Sequence, residues 1–333
     1  MSDLRIDSKD LQILKILVNN CRTSYRSIGQ TLGISTNTAK KRVNNLVSSK
    51  VIEQFTTVLN FSILGYESVL SILLRYDNDK GKDDDDIEQR ITKYLEKWGN
   101  VYIHICAIGG FSAFGVALKG RKSQTKSNDI IGSLRKDLLN GLGRNILLLD
   151  LFAGEPLSEI SKNFKLLEID LKIMRCLLAD PRMNYLDIAK KVSSSQRTII
   201  RRFEKLLSNH IIINFGIIHN PSKMKGYNYF SIIVKTEVGQ SMDVMKQITY
   251  SELNNYILRL ASFNFENAII INFHSENVLD IESILNKVKT FYGVKKVDAF
   301  QPSRIRLFQD WIRKEIDTKL QSMGNAGETR LGL

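Results

Sequence analysis

Residues 35–46 read STNTAKKRVNNL, and residues 195–206, which lie 160 positions later, read SQRTIIRRFEKL. Each stretch opens with a serine, a residue that caps helix N-termini well. Apolar residues then recur at helical spacing, while the opposite side is polar and mostly basic. The apolar positions are Ala39, Val43 and Leu46, and Ile199, Phe203 and Leu206. Both stretches therefore predict an amphipathic helix with a cationic outer face.

The repeat extends over about fifty residues around these two helices, and such a repeat outranks any local interpretation. The residues that recur 160 positions later without a gap are Leu11, Ile13, Leu17, Arg22, Tyr25, Ile28, Ser35, Thr38, Arg42, Leu46, Ile52, Phe55 and Asn60. Each copy predicts three helices and two short strands that form a wing. In the first copy these elements are a helix over residues 4–20, a helix from Tyr25 to Leu32 capped by Ser24, the helix above up to about Ser49, and strands Val51–Phe55 and Thr57–Leu59.

The turn before the cationic helix differs between the copies. Gly33 allows a tight left-handed turn, which suits a helix-turn-helix. Ser193 takes its place in the second copy, so we expect a strained turn there.

The positive charge of the chain is concentrated in the two copies. The formal net charge is +13. Residues 1–60 contain nine Lys and Arg against four Asp and Glu, and residues 161–222 contain eleven against five, so the two segments carry +11 of that total. This distribution favours a polyanion, namely nucleic acid, over a merely solvated basic surface.

Each helical unit is followed by a β-α-β-β-α-β pattern, which is typical of a ferredoxin-like domain. The fold class is therefore α+β, with two winged helix-turn-helix domains alternating with two ferredoxin-like domains. We predict domains at residues 1–63, 66–155, 161–223 and 226–301, with a linker over 155–163. We also predict an amphipathic helix at 303–321, because Ile305, Phe308, Ile312, Ile316 and Leu320 fall on one helical face, and disorder beyond it. The helix would pack on its own chain's sheet or mediate association between chains.

The chain resembles the Lrp/AsnC (feast/famine) family of prokaryotic regulators, with two copies of the family's domain pair in tandem. The resemblance is carried by the Ile6–Leu14 segment, by Arg22 and Ser24, by Leu32-Gly33-Ile34-Ser35, and by Thr38, Ala39, Arg42 and Val43. It implies sequence-specific transcription regulation on double-stranded DNA, ferredoxin-like ligand-binding domains, dimers or larger assemblies, and control by a small amino-acid-like effector. It also implies an effector site in the loop between the middle strands, here Gly109, Gly110, Phe111 and Ser112. That loop lacks the family's usual acid, and so does its second-copy counterpart at residues 262–265.

The outer face of each cationic helix supplies the candidate DNA contacts. Early residues of a recognition helix point into the major groove. Asn suits adenine, and Arg suits guanine. The candidates are Ser35, Thr36, Asn37, Lys40, Lys41 and Asn44, and Gln196, Arg197, Arg201 and Lys205. Arg42 and Arg202 fall at a spacing that turns them toward the protein body, and Glu204 occupies the position of Asn44. We expect an intrachain pseudo-dimer that presents two unlike faces, and further homo-oligomers are compatible with the family.

Two other functions fit parts of the sequence. An architectural protein would bind DNA without regard to its sequence, and some relatives of the family are tetrapyrrole decarboxylases, which would use His104 or His274 in the sheet domain. We expect no enzyme: no nucleophile motif, phosphate-binding glycine loop or metal-ligand spacing is found, so neither metal nor cofactor is predicted. Cys21, Cys106 and Cys176 are expected to be small buried hydrophobic residues. They fit a reducing cytoplasm, and the apolar runs are too short for a membrane span.

Overall fold

The computed structural model describes these residues: 5–76, 84–119, 127–141, 146–156, 160, 164–260, 263–265 and 267–328. In this part of the chain no helix has the length and apolar character needed to cross a bilayer. The architecture is mixed: helical units lie against one face of a ten-stranded sheet.

The first half of the chain contains a helical unit and then a sheet unit. Its elements are α1 (Ser8–Asn19), α2 (Tyr25–Leu32), α3 (Thr36–Ser48), β1 (Ile52–Leu59), β2 (Tyr66–Tyr76), α4 (Asp84–Leu95), β3 (Asn100–Ala107), β4 (Phe111–Lys119), α5 (Ser127–Gly141) and β5 (Ile146–Pro156). The predicted order is confirmed. The first helix starts later than predicted because Asp7 caps it, and residues 77–83 lie outside the described residues.

The second half repeats this order and adds three elements. Its elements are α6 (Glu168–Ala179), α7 (Tyr185–Lys191), α8 (Gln196–Ser208), β6 (Ile212–His219), β7 (Asn228–Thr236), α9 (Ser241–Thr249), β8 (Ile257–Leu260), β9 (Phe263–Phe265), β10 (Ala268–Ser275), α10 (Asp280–Lys289), β11 (Val294–Phe300), β12 (Pro302–Leu307) and α11 (Asp310–Glu328). The added elements are β9, β12 and α11. The alternation of helical and ferredoxin-like units is the one the sequence predicts.

The predicted two-stranded wing within each copy is wrong. Each copy contributes a single strand, and β1 of the first copy pairs antiparallel with β6 of the second. Thr56 faces Gly216, which is its own equivalent 160 positions on, and Phe55 faces Ile217 while Thr57 faces Phe215. Every pair in this ribbon is matched by its symmetry mate, as at a two-fold interface. Backbone hydrogen bonds that a local wing would have made are thus made between the copies.

The two sheet units join edge to edge into one sheet. The strand order is β11-β7-β10-β9-β5-β2-β4-β3-β12, with β8 also paired to β10. The junction lies where Gly154, Glu155 and Pro156 pair with residues 263–265. Glu155 and Pro156 therefore extend β5 and are not part of the predicted linker, whose residues 157–159 and 161–163 lie outside the described residues.

Three apolar cores stabilise this arrangement. One lies between the first sheet unit and α4 and α5, and a second lies between the other sheet unit and α9 and α10. The largest core lies on the opposite face of the sheet and contains residues from both helical units, both sheet units and α11. The helical units are therefore fixed to each other and to the sheet by shared burial, which provides most of the stabilisation in a packed core.

The C-terminal region departs from the prediction. The residues before 308 form β12, which pairs antiparallel with β3, and the helix begins at Asp310 and continues to Glu328. Residues 322–328, which we predicted to be disordered, are helical, and 329–333 lie outside the described residues. Ile312 and Ile316 are buried, and the Tyr66 hydroxyl donates to Glu315 over 2.6 Å. The helix packs on its own chain, which is the first of the two predicted alternatives.

The turn before the second recognition helix gives a stability prediction. Ser193 has φ +52°, and Gly33 has φ +63° at the equivalent position. A side chain in this left-handed region costs roughly 1–2 kcal/mol. Glycine avoids this cost in the folded state, but it also has a larger conformational entropy in the unfolded chain, which offsets part of the gain. Ser193→Gly should therefore stabilise the protein by roughly 0.5–1 kcal/mol in urea unfolding. Gly33→Ser should destabilise it by a similar amount. Unfolding free energies that change in the same direction in both variants would contradict the strain at the two turns.

Candidate nucleic-acid interface

The outward faces of α3 and α8 are available to a partner. All ten predicted contact residues are exposed: Ser35, Thr36, Asn37, Lys40, Lys41 and Asn44 on the first unit, and Gln196, Arg197, Arg201 and Lys205 on the second. Ala39, Val43 and Leu46 are buried on the inner side of α3. Among the described residues no ion pair engages the lysines and arginines of this set, so their charges face solvent.

The serines that open the two helices hold the helix ends. The Ser35 hydroxyl accepts from the Thr38 backbone N–H over 3.0 Å, and the Ser195 hydroxyl does the same with Thr198 over 3.1 Å. Because each first turn is closed in this way, the residues that follow are presented from a defined helix start.

Arg42 and Arg202 are turned inward, as their spacing predicts. Arg42 donates to Asp7 and Asp10, each over 2.8 Å. Arg202 makes two hydrogen bonds to Asp170, whose carboxylate is fully buried. The two arginines therefore tie each recognition helix to the first helix of its own unit and are unavailable for DNA.

Two other arginines cross between the copies. Arg22 donates to the Pro181 carbonyl over 2.6 Å, and its guanidinium lies 5.4 Å from the Tyr185 ring centroid and 5.3 Å from that of Phe215. Its equivalent, Arg182, lies 4.8 Å from the Tyr25 ring and 5.2 Å from the Phe55 ring. These are distances for cation–π attraction.

The aromatic partners of these two arginines are themselves equivalent positions of the repeat. The exchange of arginines is therefore reciprocal. Arg22 is a repeated residue in the sequence, but no local pattern indicates that its side chain reaches the other copy.

A buried polar cluster lies between α4 and the strands β3 and β12. The Glu88 carboxylate lies 2.6 Å from His104 Nδ1, and it also pairs with Arg304 and Arg306 of β12 over 2.6 and 2.8 Å. His104 Nε2 lies 3.1 Å from the Ser112 hydroxyl. His104 is thus a satisfied core residue, whereas Cys106 lies in this polar cluster and not among apolar neighbours alone.

The same cluster brings together three potential metal ligands that the sequence spacing did not reveal, Glu88, His104 and Cys106. Arg304 and Arg306 already neutralise the Glu88 charge, and Arg304 lies 3.4 Å from the Cys106 sulfur. Two adjacent guanidinium groups disfavour a cation. Burial alone would raise the pKa of Glu88, but the hydrogen bond and charge of His104, together with both arginines, lower it. The arrangement holds β12 against the sheet.

The loop predicted to bind an effector is a tight turn between β3 and β4. Gly109 and Gly110 both have positive φ, and a Cβ at Gly110 would lie 2.2 Å from the Tyr76 carbonyl oxygen. Phe111 stacks on Phe300 with ring centroids 4.6 Å apart. Ser112 is buried beside His104. Two of the four loop residues are thus engaged inside the protein.

Comparison with known proteins identifies the helical units. The model of the AsnC-type helix-turn-helix domain matches residues 6–47 and 168–207. An uncharacterized HTH-type transcriptional regulator of Pyrococcus horikoshii is 36% identical over 90 residues, which cover 27% of this chain and 59% of that relative. The HTH-type transcriptional regulator Ptr1 of Methanocaldococcus jannaschii is 44% identical over 71 residues, which cover 21% and 47%.

Among solved structures, that of the siroheme decarboxylase NirDL covers 96% of this chain and 100% of its own, with a TM-score of 0.49 and 13% sequence identity.

The fold and the two exposed helices define a helix-turn-helix protein. More particularly, the chain carries two AsnC-type helix-turn-helix domains in tandem, as its sequence resemblance predicted.

Neighbouring arginines on α8 provide a matched test of this geometry. Arg202→Gln leaves the buried Asp170 carboxylate without its partner and should destabilise the protein by about 3 kcal/mol. Arg201→Gln changes an exposed side chain and should shift stability by less than about 0.5 kcal/mol. Urea unfolding of the two variants checks this, and equal stabilities would contradict the inward placement of Arg202.

The charge cluster predicts a pH-dependent contribution to stability. Because the pKa of Glu88 is lowered in the folded state, its contribution is complete above its ordinary pKa of 4.5 and is lost as the pH falls through the folded value. Glu88→Gln should destabilise the protein by about 3 kcal/mol at neutral pH. Glu96→Gln, a change at an exposed position, serves as control. The free energies of unfolding of wild type and Glu88→Gln should differ at neutral pH and become equal only at low pH.

Proposed function

We propose that this chain is a sequence-specific DNA-binding transcription regulator of the AsnC type that reads DNA as an intrachain pseudo-dimer. In this proposal α3 and α8 enter successive major grooves on one face of the duplex, which lie about 34 Å apart. The observation that carries the proposal is the reciprocal register of β1 and β6 around Thr56 and Gly216, because it relates two exposed cationic helices by an approximate two-fold axis.

The contacts between the copies support a fixed relation of the two helices. The reciprocal arginines Arg22 and Arg182 clamp the same interface, and the Thr57 hydroxyl donates to the Leu177 carbonyl over 2.7 Å in a buried position. Shared burial of both units in one core adds to this. A rigid pair of reading helices favours sites of defined spacing, which distinguishes a regulator from a sequence-indifferent architectural protein.

The two reading faces differ in chemistry. The first presents Asn37, Lys40 and Asn44, whereas the second presents Arg197, Arg201 and, at the position of Asn44, the acidic Glu204. Asn pairs well with adenine, Arg with guanine, and a carboxylate accepts from cytosine. We therefore infer an operator with two unlike half-sites.

The surroundings of His104 fit a regulator better than a tetrapyrrole decarboxylase. His104 is engaged with Glu88 and Ser112, so it has no free nitrogen to offer a cofactor. We propose no enzymatic activity. Control by a small effector belongs to the proposal, and the loop at Gly109–Ser112 stays a predicted site for it.

Selection from random DNA followed by footprinting tests the proposal. The expected result is an imperfect palindrome whose half-sites are about 10 base pairs apart, centre to centre, with a footprint that spans both. A symmetric palindrome would show instead that two chains each present the same copy, and recovery of unselected sequences would favour the architectural alternative.

Variants of one helix serve as the control for that selection. The double variant Lys40→Ala/Lys41→Ala should weaken DNA binding roughly 10-fold or more. The slope of log K against log salt concentration should fall by an amount that corresponds to up to about two phosphate contacts. The selected sequence should lose information in one half-site alone. Arg75→Ala, an exposed change on the sheet, should leave affinity and sequence preference unchanged.

A further inference from the structure

A cavity of about 170 Å³ lies at the centre of the molecule, between the β1–β6 ribbon and the sheet. Its lining is mostly apolar and comes from both copies and from α11. An apolar protein cavity of roughly 150 Å³ accommodates benzene. The space thus suits a compound with one ring, and it is far too small for a tetrapyrrole.

One wall of the cavity carries a positive charge without a counter-ion. Arg259 of β8 lines the cavity, and no hydrogen bond or ion pair engages its guanidinium among the described residues. Its surroundings desolvate it and lower its pKa. The residues that line the cavity include no Asp or Glu within the described part of the chain. Arg259 is half-buried, and a charge that is partly withdrawn from water without a counter-ion is costly, so the cavity favours an anion.

Polar groups beside Arg259 complete this wall. Asn272 faces Arg259 in the sheet, and the Ser231 hydroxyl donates to Asn272 Oδ1 over 2.6 Å, which leaves the Asn272 amide nitrogen to donate toward a ligand. His219 of β6 is buried, and its Nε2 has no hydrogen-bond partner within the described structure. Burial, with the charge of Arg259 as a second cause, lowers the pKa of His219 to about 3, so the imidazole is neutral and adds no charge.

The equivalent wall of the first copy is apolar. Ser231, Asn272 and Arg259 lie side by side across β7, β10 and β8. The matching row across β2, β4 and β3 is Ser71, Gly115 and Ile103. The serine is therefore present in both copies, whereas the first copy has Gly115 in place of the amide of Asn272 and Ile103 in place of the cation of Arg259. The cavity therefore has a cationic end and an apolar end.

We propose that this cavity binds a small monocarboxylate with an apolar body about the size of one ring, the carboxylate on Arg259 and Asn272 and the body toward Ile103. A guanidinium binds a carboxylate in bidentate geometry, and the amide adds a third donor. The ligand would touch Thr57 and His219 of the β1–β6 ribbon, whose register relates the two recognition helices. Its role as an effector rests on the proposed function, whereas its binding does not.

The test uses the full-length protein without DNA, with sodium benzoate as the probe. Benzoate at roughly tenfold excess over its Kd should raise the Tm by about 2 °C, and calorimetry should show one site per chain. Benzylamine, benzyl alcohol and acetate should raise it by much less, since they lack the charge or the ring. No shift with benzoate, or an equal shift with benzyl alcohol, would overturn the proposal.

Two variants separate the two ends of the site. Arg259→Met removes an unpaired cation, so the free protein should keep or increase its Tm while the benzoate shift disappears. A fall in the Tm of this variant without ligand would mean that the guanidinium has a structural role, and would overturn the proposal. Ala113→Leu fills the apolar end and should abolish the shift with the cation intact, while Arg75→Gln should leave it unchanged.

The experiment distinguishes the site from the proposed function. A benzoate shift that depends on Arg259 establishes the site whether or not the chain binds DNA. If operator affinity then changes with benzoate in the wild type but not in Arg259→Met, the cavity is an effector site.

Discussion

The antiparallel pairing of β1 with β6 is the constraint on which the rest of the structure depends. A single strand cannot satisfy its backbone groups at its open edges, and each copy supplies only one strand after its recognition helix. The two strands therefore complete each other. A Cβ at Gly216 would lie 3.0 Å from the Val18 carbonyl oxygen, so the glycine favours the close approach of α1 to this ribbon. Both helical units are thereby joined before any partner binds.

The same exchange between copies recurs in the sheet. The end of β5 pairs with β9 of the other unit, and β12, which directly follows β11, pairs with β3. In the first sheet unit, β3 is covered by β12, which continues from the last strand of the second unit. In the second sheet unit, β9 is covered by the end of β5, the last strand of the first unit. Glu88 then holds β12 through Arg304 and Arg306. A fused chain can let its two copies diverge because both are always present, and the unlike cavity walls and reading faces are two places where they have diverged.

Most local elements follow from the sequence, because their determinants are local. Ser24, Ser35 and Ser195 cap the helices they precede, and apolar periodicity gives the buried faces. The inward turn of Arg42 and Arg202 also follows from helical phase. Which groups gather in the central cavity could not be predicted, because Arg259 and His219 come from different elements and neither belongs to a motif.

The sequence by itself determined the duplicated helix-turn-helix, which side of each recognition helix is exposed, and the α+β pattern, because caps and periodicity act within one element. Only the tertiary structure decided which strands pair. Ile305, Phe308 and Ile312 fit a helical phase, yet Ile305 lies in a strand whose alternating Arg304 and Arg306 face Glu88. Strand pairing is decided by partners far away in the chain, here β3 for β12 and β6 for β1. No local spacing encodes those partners.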